Sequence, residues 1–84
     1  MDSIAPRKPR NPGGKLTDSA ELGAIIRRRR KALQLTQMQL AESCGCTQRF
    51  ISELERGVAA GNIKQVIRIC KMLGIDLFAR VRGE

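Results

Sequence analysis

The chain of 84 residues has no histidine, no tryptophan and no tyrosine, and two phenylalanines. Without histidine, neither a Ser–His nor a Cys–His nucleophile pair can be assembled, and a mixed Cys/His zinc site is excluded. The cysteines Cys44, Cys46 and Cys70 show no metal spacing and lack the fourth sulfur of an all-cysteine tetrahedron. They read as reduced thiols that serve mainly as small core hydrophobes; a redox role for Cys44 and Cys46 is the lesser reading. No glycine-rich phosphate loop is present. An enzyme is therefore the least favoured class, and no cofactor is expected. The scarcity of aromatics implies an aliphatic core, which suits packed helices better than a β-sandwich. It also removes the stacking platforms that RNA-binding proteins use. No apolar run is long enough to cross a bilayer, and no hydrophobic signal core follows the basic N-terminus. A cytoplasmic location, off the membrane, is expected.

Positive charge is abundant. Lys and Arg total 16 against 8 Asp and Glu, a formal net charge of +8. Such a chain attracts polyanions, of which DNA is the first candidate, although charge alone would serve RNA or an anionic membrane equally. The length suits one small domain.

Residues 1–16 read as a flexible basic arm. Pro6, Pro9, Pro12, Gly13 and Gly14 interrupt any regular pattern, and Arg7, Lys8, Arg10 and Lys15 carry charge. The arm is either a plain disordered end or a source of phosphate and minor-groove contacts. A first helix is predicted from about Asp18, where Asp18-Ser19-Ala20-Glu21 has the form of a capping box. Leu22, Ile25, Ile26 and Leu33 recur at helical spacing and define its apolar stripe. The run Arg27 to Lys31 cannot share one face, because successive residues turn by about 100°. Arg29 falls in the stripe and must lay its stem over the core edge.

A second helix is predicted after the N-cap Thr36, from Gln37 to Cys44, with Leu40 and Ala41 inward and Met38 at the core margin. Gly45 ends it, since a sharp turn needs the left-handed backbone conformation. A third helix should follow from the cap Thr47, over Gln48 to Arg56, ended by Gly57. Ile51 and Leu54 point inward there, Cys46 fills the turn beneath, and Gln48, Arg49, Ser52 and Glu53 point outward. A fourth helix should run from about Asn62 to Leu73, with Ile63, Val66, Ile67, Cys70 and Leu73 on the core. Residues 17–74 thus form the domain.

The period then changes. Ile75, Leu77, Ala79 and Val81 alternate with Asp76, Phe78, Arg80 and Arg82, the pattern of a half-buried strand over residues 75–84. The chain offers no second strand, and one strand cannot satisfy its own ladder. Pairing with the same strand of a second copy across a two-fold axis resolves this, with Leu77, Phe78, Ala79 and Val81 at the interface. The plainer alternative is an extended tail on its own helices.

Two short helices joined by a glycine turn, Thr36 to Gly57, have the layout that projects the second helix into a major groove. Glutamine matches the edge of adenine, arginine that of guanine, and glutamate can accept from cytosine. Gln48, Arg49, Ser52 and Glu53, with Thr47 at the helix start, are the candidate DNA-contacting residues. Phe50 either touches a thymine methyl or packs on a partner helix.

These residues carry a resemblance. Leu35-Thr36-Gln37, Leu40-Ala41, Gly45, Ile51-Ser52 and Glu55-Arg56-Gly57 resemble the phage-repressor and Cro-like helix-turn-helix family over roughly Leu22 to Gly74. The resemblance implies an all-α, lambda-repressor-like bundle. The family's usual fifth helix is absent, so four helices and the short C-terminal β-strand are expected. It further implies that Gln37 anchors a phosphate and braces the recognition helix. It implies that Gln48, Arg49 and Ser52 face bases or phosphates, and that Arg30 and Glu55 form a partly buried salt bridge. Gln34 departs from the family, which has glycine there, and Arg29 stands where many members are apolar. The strings Arg29 to Leu33 and Phe50 to Gly57, with the apolar C-terminus, are similar to the HipB-type subgroup. Its members are often dimeric antitoxins that repress their own operon and bind a kinase-like toxin. The expectation is therefore a homodimer on a palindromic operator in double-stranded DNA, with a HipA-like kinase as a further partner. A stand-alone or phage regulator, or a protein-interaction module without a specific DNA site, remain open beside it.

Overall fold

The computed structural model describes residues 18–58 and 62–83. The basic arm of residues 1–16 lies outside the described residues. Four helices follow one another: α1 (Ser19–Ala32), α2 (Gln37–Cys44), α3 (Gln48–Glu55) and α4 (Ile63–Leu73).

Each helix starts the same way. The side chains of Asp18, Thr36, Thr47 and Asn62 accept from the backbone N–H groups of Glu21, Gln39, Phe50 and Gln65 at 2.9–3.0 Å. Each satisfies one donor that a helix start leaves over. At α2 the box closes, because the Gln39 side chain accepts from the Thr36 N–H at 2.8 Å.

Each helix also stops the same way. Gln34, Gly45, Gly57 and Gly74 have φ of 61°, 71°, 78° and 73°. The residue after each donates back across the last turn: Leu35 to Arg30, Cys46 to Ala41, Val58 to Glu53 and Ile75 to Cys70. This is the Schellman closure, which usually seats an apolar residue on the helix it ends. Leu35, Cys46 and Ile75 do pack against the core. At Gln34 the chain makes the same left-handed turn without glycine. The family's missing glycine therefore changes the strain of the turn and leaves its geometry unaltered.

The core collects Ile26 from α1, Leu40, Ala41 and Cys44 from α2, Ile51 and Leu54 from α3, and Val66, Ile69, Cys70 and Leu73 from α4. The expected inward set needs correction. Leu33 is 41% exposed, Ile63 71% and Ile67 40%, whereas Ile69 is fully buried. Met38, expected at the core margin, is exposed. Two apolar stripes on α4 satisfy helical spacing, and the chain buries the one through Val66, Ile69, Cys70 and Leu73.

The expected C-terminal strand is not formed. No strand occurs among the described residues, and residues 75–81 carry neither helix nor ladder. A strand exists only through hydrogen bonds to another strand, and a single copy of this chain supplies none. Ile75 packs on the core, while Leu77, Phe78, Ala79 and Val81 are exposed, Phe78 at 91%. No helix among the described residues is long and apolar enough to cross a membrane.

Candidate nucleic-acid interface

The turn between α2 and α3 is held from below. Gly45 takes its left-handed conformation there, and an L side chain would cost about 1–2 kcal/mol. The C-terminal carbonyl of Cys44 accepts from Gln65 Nε2 at 3.1 Å and from Arg68 Nη1 at 3.5 Å. α4 thus satisfies an acceptor that the end of α2 leaves free. Cys46 sits half-buried beneath the turn, as expected.

On α3, Ile51 and Leu54 are buried, and Gln48 and Arg49, at the start of the helix, are both exposed. Ser52 and Glu53 lie at the flank, half-buried. Arg49 Nε donates to Glu53 Oε2 at 3.1 Å, one helical turn on. The exposed Thr47 already uses its hydroxyl oxygen to cap the helix, accepting from Phe50 N–H at 3.0 Å. Phe50 is half-buried and packs on the domain's own core.

A buried polar junction ties the end of α3 to α1 and α2. Arg30 Nε donates to Glu55 Oε2 at 2.6 Å and Nη2 to Glu55 Oε1 at 3.1 Å. Its third nitrogen, Nη1, donates to the Leu35 carbonyl at 2.7 Å. Gln37 Nε2 donates to Glu55 Oε1 at 3.1 Å. The Arg30 and Glu55 side chains are 9% and 2% exposed. One buried carboxylate therefore ties α1 and α2 to the end of α3, and Arg30 binds the loop between them. A buried ion pair repays its desolvation only when its remaining donors and acceptors are also bound, and here the Leu35 carbonyl and the Gln37 amide supply those bonds.

A second contact fixes how closely α1 approaches α3. Gly23 is buried, and a Cβ there would lie 2.6 Å from the Glu55 carbonyl oxygen. At Gly57 a Cβ would meet the Ala20 Cα at 2.7 Å, and Ser19 Oγ donates to the Gly57 carbonyl at 2.9 Å. Sequence reasoning passed over Gly23. The available signal was a glycine in the middle of an otherwise continuous helix, where it costs helix stability unless a neighbour needs the space.

Arg29, expected to lie over the core edge, donates from Nε to the Leu73 carbonyl at 2.8 Å and so satisfies the end of α4. The buried thiols are not activated. Burial, first, and then the nearby Cys46 raise the Cys44 thiol above its ordinary value, against an opposing pull from Arg68. Burial alone raises Cys70. A thiolate nucleophile needs the opposite shift.

Known proteins are similar to this chain. The Helix-turn-helix family model matches residues 26–79. The ImmF control region 10 kDa protein of Bacillus phage phi105 is 31% identical over 62 residues, covering 74% of this chain and 69% of that one. The uncharacterized HTH-type transcriptional regulator y4mF of Sinorhizobium fredii is 35% identical over 65 residues, covering 77% of this chain and 86% of that one. Among solved structures, a chain of a HipA-HipB-O2-O3 complex superposes with a TM-score of 0.72 at 20% identity, covering 83% of this chain and 99% of its own. A chain called MDT Protein gives 0.71, also at 20% identity, with the same coverage. The chain belongs to the helix-turn-helix family. It is a DNA-binding transcriptional regulator of the phage-repressor (Xre) type.

Proposed function

We propose that the protein is a dimeric, sequence-specific repressor that reads a palindromic operator with α3. The observation that carries this is the outward side of α3. Gln48 and Arg49 stand exposed there, on a helix whose end is held by the buried junction of Arg30, Glu55 and Gln37. Polar groups suited to base edges are set on a rigid support, which base reading requires. A docking surface for another protein would present apolar anchors at this place instead.

In this reading Gln48, Arg49 and Ser52 face base edges, with Thr47 and Glu53 beside them and Gln37 near a phosphate. Residues 17–74 form the DNA-binding domain, and residues 1–16 add phosphate contacts. Residues 75–84 form a strand only in the dimer, through Leu77, Phe78, Ala79 and Val81. Two recognition helices about 34 Å apart would enter successive major grooves.

The finer role we infer is that of an antitoxin and autorepressor in a HipBA-like operon, with a HipA-like kinase as partner. The likeness to a chain of a HipA-HipB-O2-O3 complex supports it. A stand-alone phage-type regulator is the second reading, favoured by the similarity to a phage control-region protein.

The test is binding of the full-length chain to DNA selected from a random pool, followed by Arg49→Ala. The expected result is a palindromic consensus, with preference relaxed at one base pair per half-site at a cost of about 1–3 kcal/mol. Uniform weakening across all sequences would make Arg49 a phosphate contact. Stable co-purification with the kinase encoded beside the gene, if there is one, supports the antitoxin role; its absence favours the stand-alone regulator.

A further inference from the structure

We infer that Glu53 is a positioning residue for Arg49 and not itself a base reader. This rests on the reading of α3 as the helix that enters the groove. Arg49 and Glu53 are one turn apart on α3, and the bond between them runs from the inner guanidinium nitrogen, Nε, to Glu53 Oε2 at 3.1 Å. The side chains are unequally exposed, Arg49 at 86% and Glu53 at 29%. The carboxylate therefore lies back along the helix flank, and the guanidinium extends past it.

Occupying Nε has a geometric consequence. The guanidinium is planar, and its two terminal nitrogens form the fork that fits N7 and O6 of guanine. A partner on Nε leaves both of those nitrogens free and limits rotation of the plane. A long exposed arginine otherwise loses its rotamer freedom only on binding, which weakens its discrimination. The carboxylate can only accept hydrogen bonds, and from its recessed place it would have to displace Arg49 to reach a cytosine amino group.

Charge gives the proposal a distinctive signature. A carboxylate facing a polyanion is repelled, and pairing it with Arg49 makes this part of α3 neutral overall. Arg49 therefore adds base preference with little general attraction to phosphates. Removing Glu53 should move the two quantities in opposite directions: less discrimination at one base pair, and tighter binding to unrelated DNA.

The experiment uses the full-length chain and its selected operator. Equilibrium binding is measured against every single base-pair variant and against unrelated DNA at fixed salt. The proteins are wild type, Glu53→Ala, Glu53→Gln, Arg49→Ala and the Arg49→Ala/Glu53→Ala double variant, each checked by thermal melting. The wild type should prefer guanine at one position per half-site by about tenfold or more. Arg49→Ala should abolish that preference. Glu53→Ala should reduce it at least about threefold at that position alone and bind unrelated DNA more tightly. Glu53→Gln should restore part of it, because the amide oxygen still accepts from Nε. In the Arg49→Ala background, Glu53→Ala should change no base preference.

A preference lost with Arg49→Ala but kept with Glu53→Ala overturns the inference alone. So does a loss of preference at a different base pair, which would make Glu53 a reader in its own right. No sequence preference in the wild type, or uniform weakening by Arg49→Ala, overturns the reading of α3 and this inference with it.

Discussion

Gln37, the first residue of α2, donates its side-chain amide to Oε1 of Glu55, the last residue of α3, at 3.1 Å. The same carboxylate takes two bonds from Arg30. The two ends of the helix-turn-helix are thus tied through one buried group.

Glu55→Ala should therefore act on stability and DNA binding together. It leaves the Arg30 guanidinium buried without its partner, a loss of about 3–5 kcal/mol. For a domain of this size the melting temperature should fall by more than about 12 °C. Gln37→Ala removes one bond from a carboxylate that keeps Arg30, and should cost about 1 kcal/mol. Calorimetry on both variants checks this order, and equal or negligible shifts would contradict the junction as the support of α3.

Gly23→Ala should destabilise, although alanine is the better helix former. The added Cβ would meet the backbone oxygens of Leu54 and Glu55, and backbone cannot swing aside as a side chain can. Overpacking of about 1–3 kcal/mol is expected, against a gain of about 1 kcal/mol in helix propensity. Because α1 must back away from α3, operator affinity should fall as well. Denaturant unfolding and a binding titration read the two effects.

Gln34→Gly should stabilise. Gln34 is the only residue other than glycine with positive φ among the described residues, and the left-handed conformation costs an L residue about 1–2 kcal/mol. Glycine returns part of this through its freer unfolded chain, leaving a net gain of about 0.5–1 kcal/mol. Unchanged or lower stability would mean that Gln34 is not strained.

The thiols should react in order of exposure. A thiol reagent should modify the half-buried Cys46 first, and Cys44 and Cys70 only on opening. The raised Cys44 and Cys70 thiols also carry a pH dependence. Above the ordinary value of 9.0 the unfolded chain has lost protons that the folded chain still holds. Stability from these groups is thus full below pH 9.0 and falls as pH rises beyond it. Replacing both with alanine should flatten the slope of unfolding free energy in that range.

The C-terminal residues can be tested by mass. The full-length protein should be a dimer in solution, and a chain ending at Gly74 a monomer, because Leu77, Phe78 and Val81 lie exposed in the single chain. If both are monomers, the intersubunit strand fails, and an asymmetric DNA site becomes the alternative.

Much of the fold is legible because its punctuation is local. Asp18, Thr36 and Thr47 start helices with their own side chains, and Gly45, Gly57 and Gly74 stop them in a conformation glycine enters cheaply. The outward placing of Gln48 and Arg49 followed from the same periodicity. Packing was less legible. Ile63 and Ile67 fit helical spacing as well as Ile69 does, yet only Ile69 is fully buried. A stripe on one helix is chosen by the helices it meets, and that lies outside the local sequence.

The sequence by itself determined the helix boundaries, the glycine turn and the residue types offered on α3, because each depends on neighbours within a turn or two. The tertiary structure alone decided that Gly23 lets α1 touch α3 and that Phe50 turns to its own core. It also decided that residues 75–81 hold no strand in one chain, for a strand is defined by its hydrogen-bonded partner and no stretch of sequence contains that partner in itself.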